Sequence, residues 1–276
     1  MATIRELERG VWLDESIPDE FRHDAEMLCH LLASCITDLV VSLSMFEQAR
    51  IACSAQMQVR SGAAHDQEAW QREGQRQRER EAELEAEAGI TWGHPDYSEK
   101  SERIREQVRR EMLREKWARE GGPESYQRRA PFIHARSFIT TLALLQRSVL
   151  AIGRYDFEPG VVGGIRKACN DFAAALPGLK AVRDSSAHLE DRIRGERFGE
   201  KIATKPIMTS MIHAPGGGVM IAESLNNQHF GGTIADRTYA EVEVADATTE
   251  IARVAVQAVY DSLPWRPGHR MREPSM

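Results

Sequence analysis

The sequence predicts a mainly α protein: a helical bundle with a charged helical insertion and a small antiparallel β-hairpin before its last helix. Three observations lead there. Apolar residues recur at three- and four-residue steps through several long stretches, which places them on one helical face. An internal stretch, Gly62 to Arg129, is dominated by charges of both signs and has no apolar face. A late stretch, residues 206–244, is punctuated by Pro and Gly between short β-favouring runs.

From about Asp19 to Met57, residues such as Leu28, Leu32, Ile36, Leu39, Leu43 and Phe46 keep helical spacing and predict the central core helix. Met27 to Phe46 is the nearest approach to a membrane span. Asp38 and His30 interrupt it, and one central Asp costs about 2.5–3.5 kcal/mol on insertion, so a buried bundle helix and no membrane partner are expected. Residues 62–129 follow as the insertion. Runs such as Glu79 to Glu87 are broken at Ile90, Trp92, Gly93, His94 and Pro95, and a second charged helix, Ser101 to Glu120, stops at Gly121-Gly122-Pro123. The insertion is expected as a protruding charged helical hairpin or as partly disordered chain, and as a surface for a protein partner. The remaining residues, 1–61 and 130–276, make the bundle.

Pro131 is expected in the first turn of the next core helix, where its missing N–H costs nothing. Ala135, Phe138, Leu142, Leu145, Val149 and Ile152 then form a bundle seam. Pro159-Gly160 precedes a helix over Val161 to Ala175, and after Pro177-Gly178 the residues Leu179, Val182, Ser186, Leu189 and Ile193 read as one further seam. Val219-Met220-Ile221 and Tyr239 to Val244 read as strands, with Asn226-Asn227 as a turn and Gly231-Gly232 in a second strand region or bend. Gly216-Gly217-Gly218 lacks the Lys and Ser/Thr of a phosphate loop and reads as a flexible turn. Asp246 is placed to cap the last helix, which Pro264 ends and Trp265 packs.

With 276 residues, 42% of them hydrophobic, the chain can build a substantial core. A formal charge of −6 excludes a global basic field, so a nucleic-acid contact would need a local patch or a dimer surface. Lys180 to Lys205 offers such a patch, with seven basic residues against five acidic. Cys29, Cys35, Cys53 and Cys169 form no CxxC pair and are expected as reduced core residues. No secretory pattern opens the chain, so the cytoplasm is the expected location. Apart from His188 the histidines are scattered, with no Cys or carboxylate joining the His23/His30 or His213/His229 pair at metal-ligand spacing, and no nucleotide fingerprint appears. Neither a metal nor a cofactor is expected.

One segment carries chemistry: Arg183-Asp184-Ser185-Ser186-Ala187-His188. On a continuous helix Asp184 and His188 share a face, with Asp191 and Arg192 one turn further on. A His can move a proton at neutral pH, and an Arg can grip a phosphate and stabilise its transition-state charge. Those are the two groups that metal-independent phosphodiester cleavage needs.

An Arg, a polar residue after it and a His a few positions later, on the last core helix of a bundle, resembles the signature of the HEPN superfamily (higher eukaryotes and prokaryotes nucleotide-binding domains). The resemblance implies a helical bundle, a homodimer in which two motifs face one another, and a metal-independent endoribonuclease acting on RNA in a toxin or phage-defence setting. It implies that Arg183 contacts the phosphate, that His188 takes part in proton transfer and that Asp184 orients them. The paired-toxin subgroup carries a Tyr two residues after its His; Glu190 stands there in this chain, so control through that Tyr is not implied. The alternative for the same residues is a non-catalytic HEPN-like dimeric interaction module, its charged helix face held by ordinary i,i+4 ion pairs.

Overall fold

The computed structural model describes residues 5–63, 67–93, 95–197, 200–201, 205–208, 213–217, 219–268 and 270–275. His94, Gly218 and residues 64–66 and 209–212, which fall within the expected insertion and β segment, lie outside the described residues. In chain order the elements are β1 (Arg5–Gly10), α1 (Asp19–Ala63), α2 (Gln67–Glu87), α3 (Tyr97–Glu120), α4 (Glu124–Ile152), α5 (Pro159–Ala175), α6 (Leu179–Ala187), α7 (Leu189–Ile193), the two-residue strands β2 (Glu196–Arg197), β3 (Glu200–Lys201), β4 (Ile207–Met208) and β5 (His213–Ala214), then β6 (Ser224–Asn226), β7 (His229–Thr233), β8 (Tyr239–Glu243), α8 (Asp246–Ser262) and β9 (Arg270–Ser275). The fold is mainly α with small antiparallel sheets, and a β meander precedes the last long helix. Two compact units are present: Met1–Glu47 with Pro131–Met276, and Gln48–Ala130.

In the first unit, one apolar core is shared by α1, α4, α5, α6 and α8. Leu32, Ile36, Leu39 and Phe46 of α1 are fully buried in it, as are Phe138, Leu142 and Leu145 of α4. Over Asp19–Ala55 α1 is long and apolar enough to cross a membrane, while these side chains are packed inside the bundle. The α4 seam is buried at every expected position. Pro131, however, lies inside α4 rather than in its first turn. The helix begins at Glu124, directly after Pro123, which has already ended the preceding segment. Of the cysteines, Cys29, Cys35 and Cys169 are buried as expected, and Cys53 is only half-buried.

Before α8, β6, β7 and β8 form a three-stranded antiparallel meander that pairs Leu225 with Phe230 and Phe230 with Val242. Asn227, at φ 54°, makes the expected turn. The first strand of the meander is Ser224–Asn226, not Val219-Met220-Ile221: Ile221 meets the sheet at Thr233, its carbonyl accepting from the Thr233 N–H at 2.8 Å and its own N–H donating to Thr233 Oγ1 at 3.0 Å. Gly231 is fixed by crowding, since a Cβ there would lie 2.2 Å from the Ala240 carbonyl oxygen. Asp246 starts α8 without capping it, and the cap position is Ala245. Trp265 Nε1 donates to the Tyr260 carbonyl at 2.6 Å and its ring meets Tyr260 edge-on, so it packs the end of α8 as expected. The β1–β9 pair, Arg5 opposite Ser275 through Gly10 opposite Arg270, has no counterpart in the sequence pattern.

In the second unit, α2 and α3 run antiparallel. Arg76 pairs with Glu115, Arg80 with Glu111, and the Ser101 hydroxyl donates to Glu85 at 2.6 Å. Gly121, left-handed at φ 76°, caps α3.

Candidate functional site

The Arg183 to His188 segment does not sit on one unbroken helix. α6 ends at Ala187, and His188 leaves the helix at φ −117°, ψ 47°, its N–H shared between the carbonyls of Asp184 (3.2 Å) and Ser185 (3.3 Å). A short α7 restarts at Leu189. The expected seam breaks with it. Leu179 and Val182 are buried, but Ile193 is 70% exposed, and Ser185 takes the inward place expected for Ser186. The Ser185 hydroxyl donates to the Thr233 carbonyl at 2.7 Å, which fastens α6 to β7.

The three candidate residues are therefore brought together in part. Arg183 Nη1 lies 3.0 Å from Asp184 Oδ1, with the Arg side chain mostly buried and the carboxylate partly exposed. Asp184 and Arg183 thus form an ion pair between neighbouring residues. The His188 side chain is exposed, and its ion-pair neighbour is Glu190, with Nδ1 4.0 Å from Oε1, rather than Asp184. His188, Glu190 and Asp191 each bring one possible metal-ligating atom within 4.8 Å of the others. Asp191 already accepts a hydrogen bond from Arg194 at 2.7 Å, and this bond holds the Arg194 guanidinium above its ordinary pKa.

Beside this segment, a cavity of about 320 Å³ opens between α4 and α6. Arg136 and Arg147 of α4 and Arg183 of α6 line it, together with the apolar surfaces of Ala143, Leu144 and Ala187. The Glu223 side chain, only 6% exposed, holds Arg136: its Oε1 accepts from Nε at 2.8 Å and also from Nη2. The Ser186 hydroxyl reaches the same oxygen at 3.4 Å. One residue just before β6 thereby links the meander, α4 and α6. Buried charge needs such matching, because a carboxylate removed from water without a partner loses several kcal/mol of hydration. Arg183 departs from this matching, since its Nε is buried and no described group accepts from it.

The Arg136 and Arg147 contribution was present in the sequence as a signal. Arg136, Thr140, Ala143 and Arg147 follow steps of four, three and four, so one helical stripe carries two guanidinium groups. Glu223 lies in irregular chain and had no such signal.

The fold and site thus define a mainly α bundle with an arginine-lined cavity at its motif helix. No protein-family model matches the chain, and neither a curated protein nor a solved structure matches it.

Proposed function

We propose that this chain is a metal-independent endoribonuclease of HEPN type, acting as a homodimer in a toxin or phage-defence setting. The observation that carries the reading is the position of Arg183, the Arg of the motif, in a cavity lined by three arginines. A phosphate is the anion that such a cluster of guanidinium groups favours. His188 stands exposed on the turn that ends the same helix, open to a polymer substrate.

In the reaction the ribose 2′-hydroxyl attacks the adjacent phosphorus and the bond to the 5′ oxygen breaks. His188 takes the hydroxyl proton, Arg183 stabilises the charge on the phosphoryl oxygens, and the departing 5′ oxygen receives a proton from solvent. The products are a 2′,3′-cyclic phosphate and a free 5′-hydroxyl.

One observation favours the second reading, a non-catalytic interaction module whose charged hairpin binds a protein partner. The helix ends at Ala187, and the His188 side chain has Glu190 as its ion-pair neighbour, with Nδ1 4.0 Å from Oε1. RNA incubated in EDTA with the parent protein, His188→Ala and Arg183→Ala separates the two. The ribonuclease reading expects cyclic-phosphate ends from the parent and a loss of roughly a hundredfold or more in His188→Ala. Equal cleavage by His188→Ala, or none by the parent, overturns it. Activity abolished by EDTA would instead place a metal in the His188, Glu190 and Asp191 group.

A further inference from the structure

The cavity between α4 and α6 holds an uneven charge count. Arg136 is paired with Glu223 and Arg183 with Asp184, whereas Arg147 has no hydrogen bond or ion pair among the described residues. Three guanidinium charges against two carboxylates leave one positive charge. The buried Arg183 Nε–H, without an acceptor, adds an unmet donor to it. An unpaired buried donor is costly, and an anion held against the outer guanidinium nitrogens of Arg183 offsets part of that cost through charge. The apolar surfaces of Ala143, Leu144 and Ala187 lower the local dielectric and strengthen any charge contact made there.

We infer that this cavity binds one phosphodiester of a single-stranded RNA backbone, with Arg147 as a further phosphate contact beside Arg183 and Arg136 as a positioning residue held by Glu223. One surplus charge matches the single charge of one backbone phosphate. The volume, about 320 Å³, lies at the low end of small-molecule sites, enough for a phosphate and its sugar. A slot between two helices admits such a group from a flexible strand better than from a rigid duplex. The inference rests on the ribonuclease reading only for the choice of RNA.

The test is binding, not cleavage. Labelled single-stranded RNA is titrated with His188→Ala protein over a range of salt concentrations, alone and with Arg147→Gln or Arg147→Lys added. The same sequence in DNA serves as a second probe that lacks the 2′-hydroxyl. Arg147→Gln is expected to weaken RNA binding roughly tenfold or more at low salt. It should also flatten the slope of log affinity against log salt by about 0.7, the share of one phosphate contact on a single strand. Arg147→Lys should keep the slope, because charge sets it. Unchanged affinity and slope in Arg147→Gln overturn the inference whatever the cleavage assay shows, as does a failure of the parent to bind either probe. Arg147-dependent binding by a protein that never cuts RNA upholds the phosphate site and removes the ribonuclease reading. The same dependence with DNA also supports the phosphate contact.

Discussion

The α2–α3 hairpin and the α4–α6 cavity use the same residue types to opposite ends. On the hairpin, arginines and glutamates meet in solvent: both partners of the Arg76–Glu115 pair are 60% exposed, and Arg80 reaches Glu83 and Glu111. Water screens these charges, and each pair contributes little. At the cavity, Glu223 is nearly buried, one guanidinium is unpaired, and a buried N–H lacks an acceptor. Composition cannot tell these situations apart. What separates them is packing: at the cavity the Glu223 and Arg183 side chains are only 6% and 18% exposed, so their charges are largely shielded from water.

That contrast predicts its largest stability effect in the bundle. Phe138 is fully buried on α4, two residues beyond Arg136. Phe138→Ala is expected to lose about 3–5 kcal/mol in denaturant unfolding, through lost transfer energy and the cavity left behind. A loss below about 1 kcal/mol would mean that the platform under the cavity is loosely packed and cannot hold charge in a low dielectric.

How much of this was legible in the sequence depended on whether the cause was local. The α4 seam was legible because each apolar step faces a single core, and all six seam residues are buried. The β turn at Asn227 was legible from its residue type. The break at His188 was not, because Leu189 and Ile193 continue the apolar rhythm that a helix would show. The chain leaves that rhythm where α6 is fastened to the meander through Ser185 and Thr233, a contact across 48 residues. The β1–β9 pair was invisible for the same reason, since it joins the two ends of the chain. Of the candidate residues, Arg183 and Asp184 are adjacent in the sequence and meet as an ion pair. Arg147 comes to the cavity only through the packing of α4 beside α6, which the α4 sequence does not announce.

A second, intermediate effect concerns the meander beside the cavity. Burial pushes the Tyr239 phenol up to about 12, and its hydroxyl donates to Glu241 Oε2 at 2.9 Å and pairs with Ser224 at 2.8 Å. The unfolded chain releases this proton near pH 10. The folded chain holds it longer, so the associated stability is fully present below pH 10 and is lost as pH rises from 10 to 12. Tyr239→Phe should remove that part of the alkaline slope in unfolding measured from pH 9 to 12. An unchanged slope would show that Tyr239 is as hydrated as an exposed tyrosine and that the meander does not share the dry surroundings of the bundle.

The smallest effect belongs to the hairpin. Glu115→Ala breaks the 3.0 Å contact with Arg76, but both groups remain hydrated after the loss, and the freed side chains regain rotamer entropy. The expected cost is roughly 0.2–1 kcal/mol at low salt, falling toward zero as salt rises past the screening range. It is best read from hydrogen exchange of α2 and α3 amides, because two compact units need not unfold in one step. A cost of several kcal/mol that persists in high salt would mean that the hairpin charges are held out of water as Glu223 is, and the contrast between the two regions would collapse. A small, salt-sensitive cost places the hairpin's stability elsewhere, in buried groups such as Val108 and Ser101. The arginine–glutamate ladder then serves mainly to keep a long helical pair hydrated.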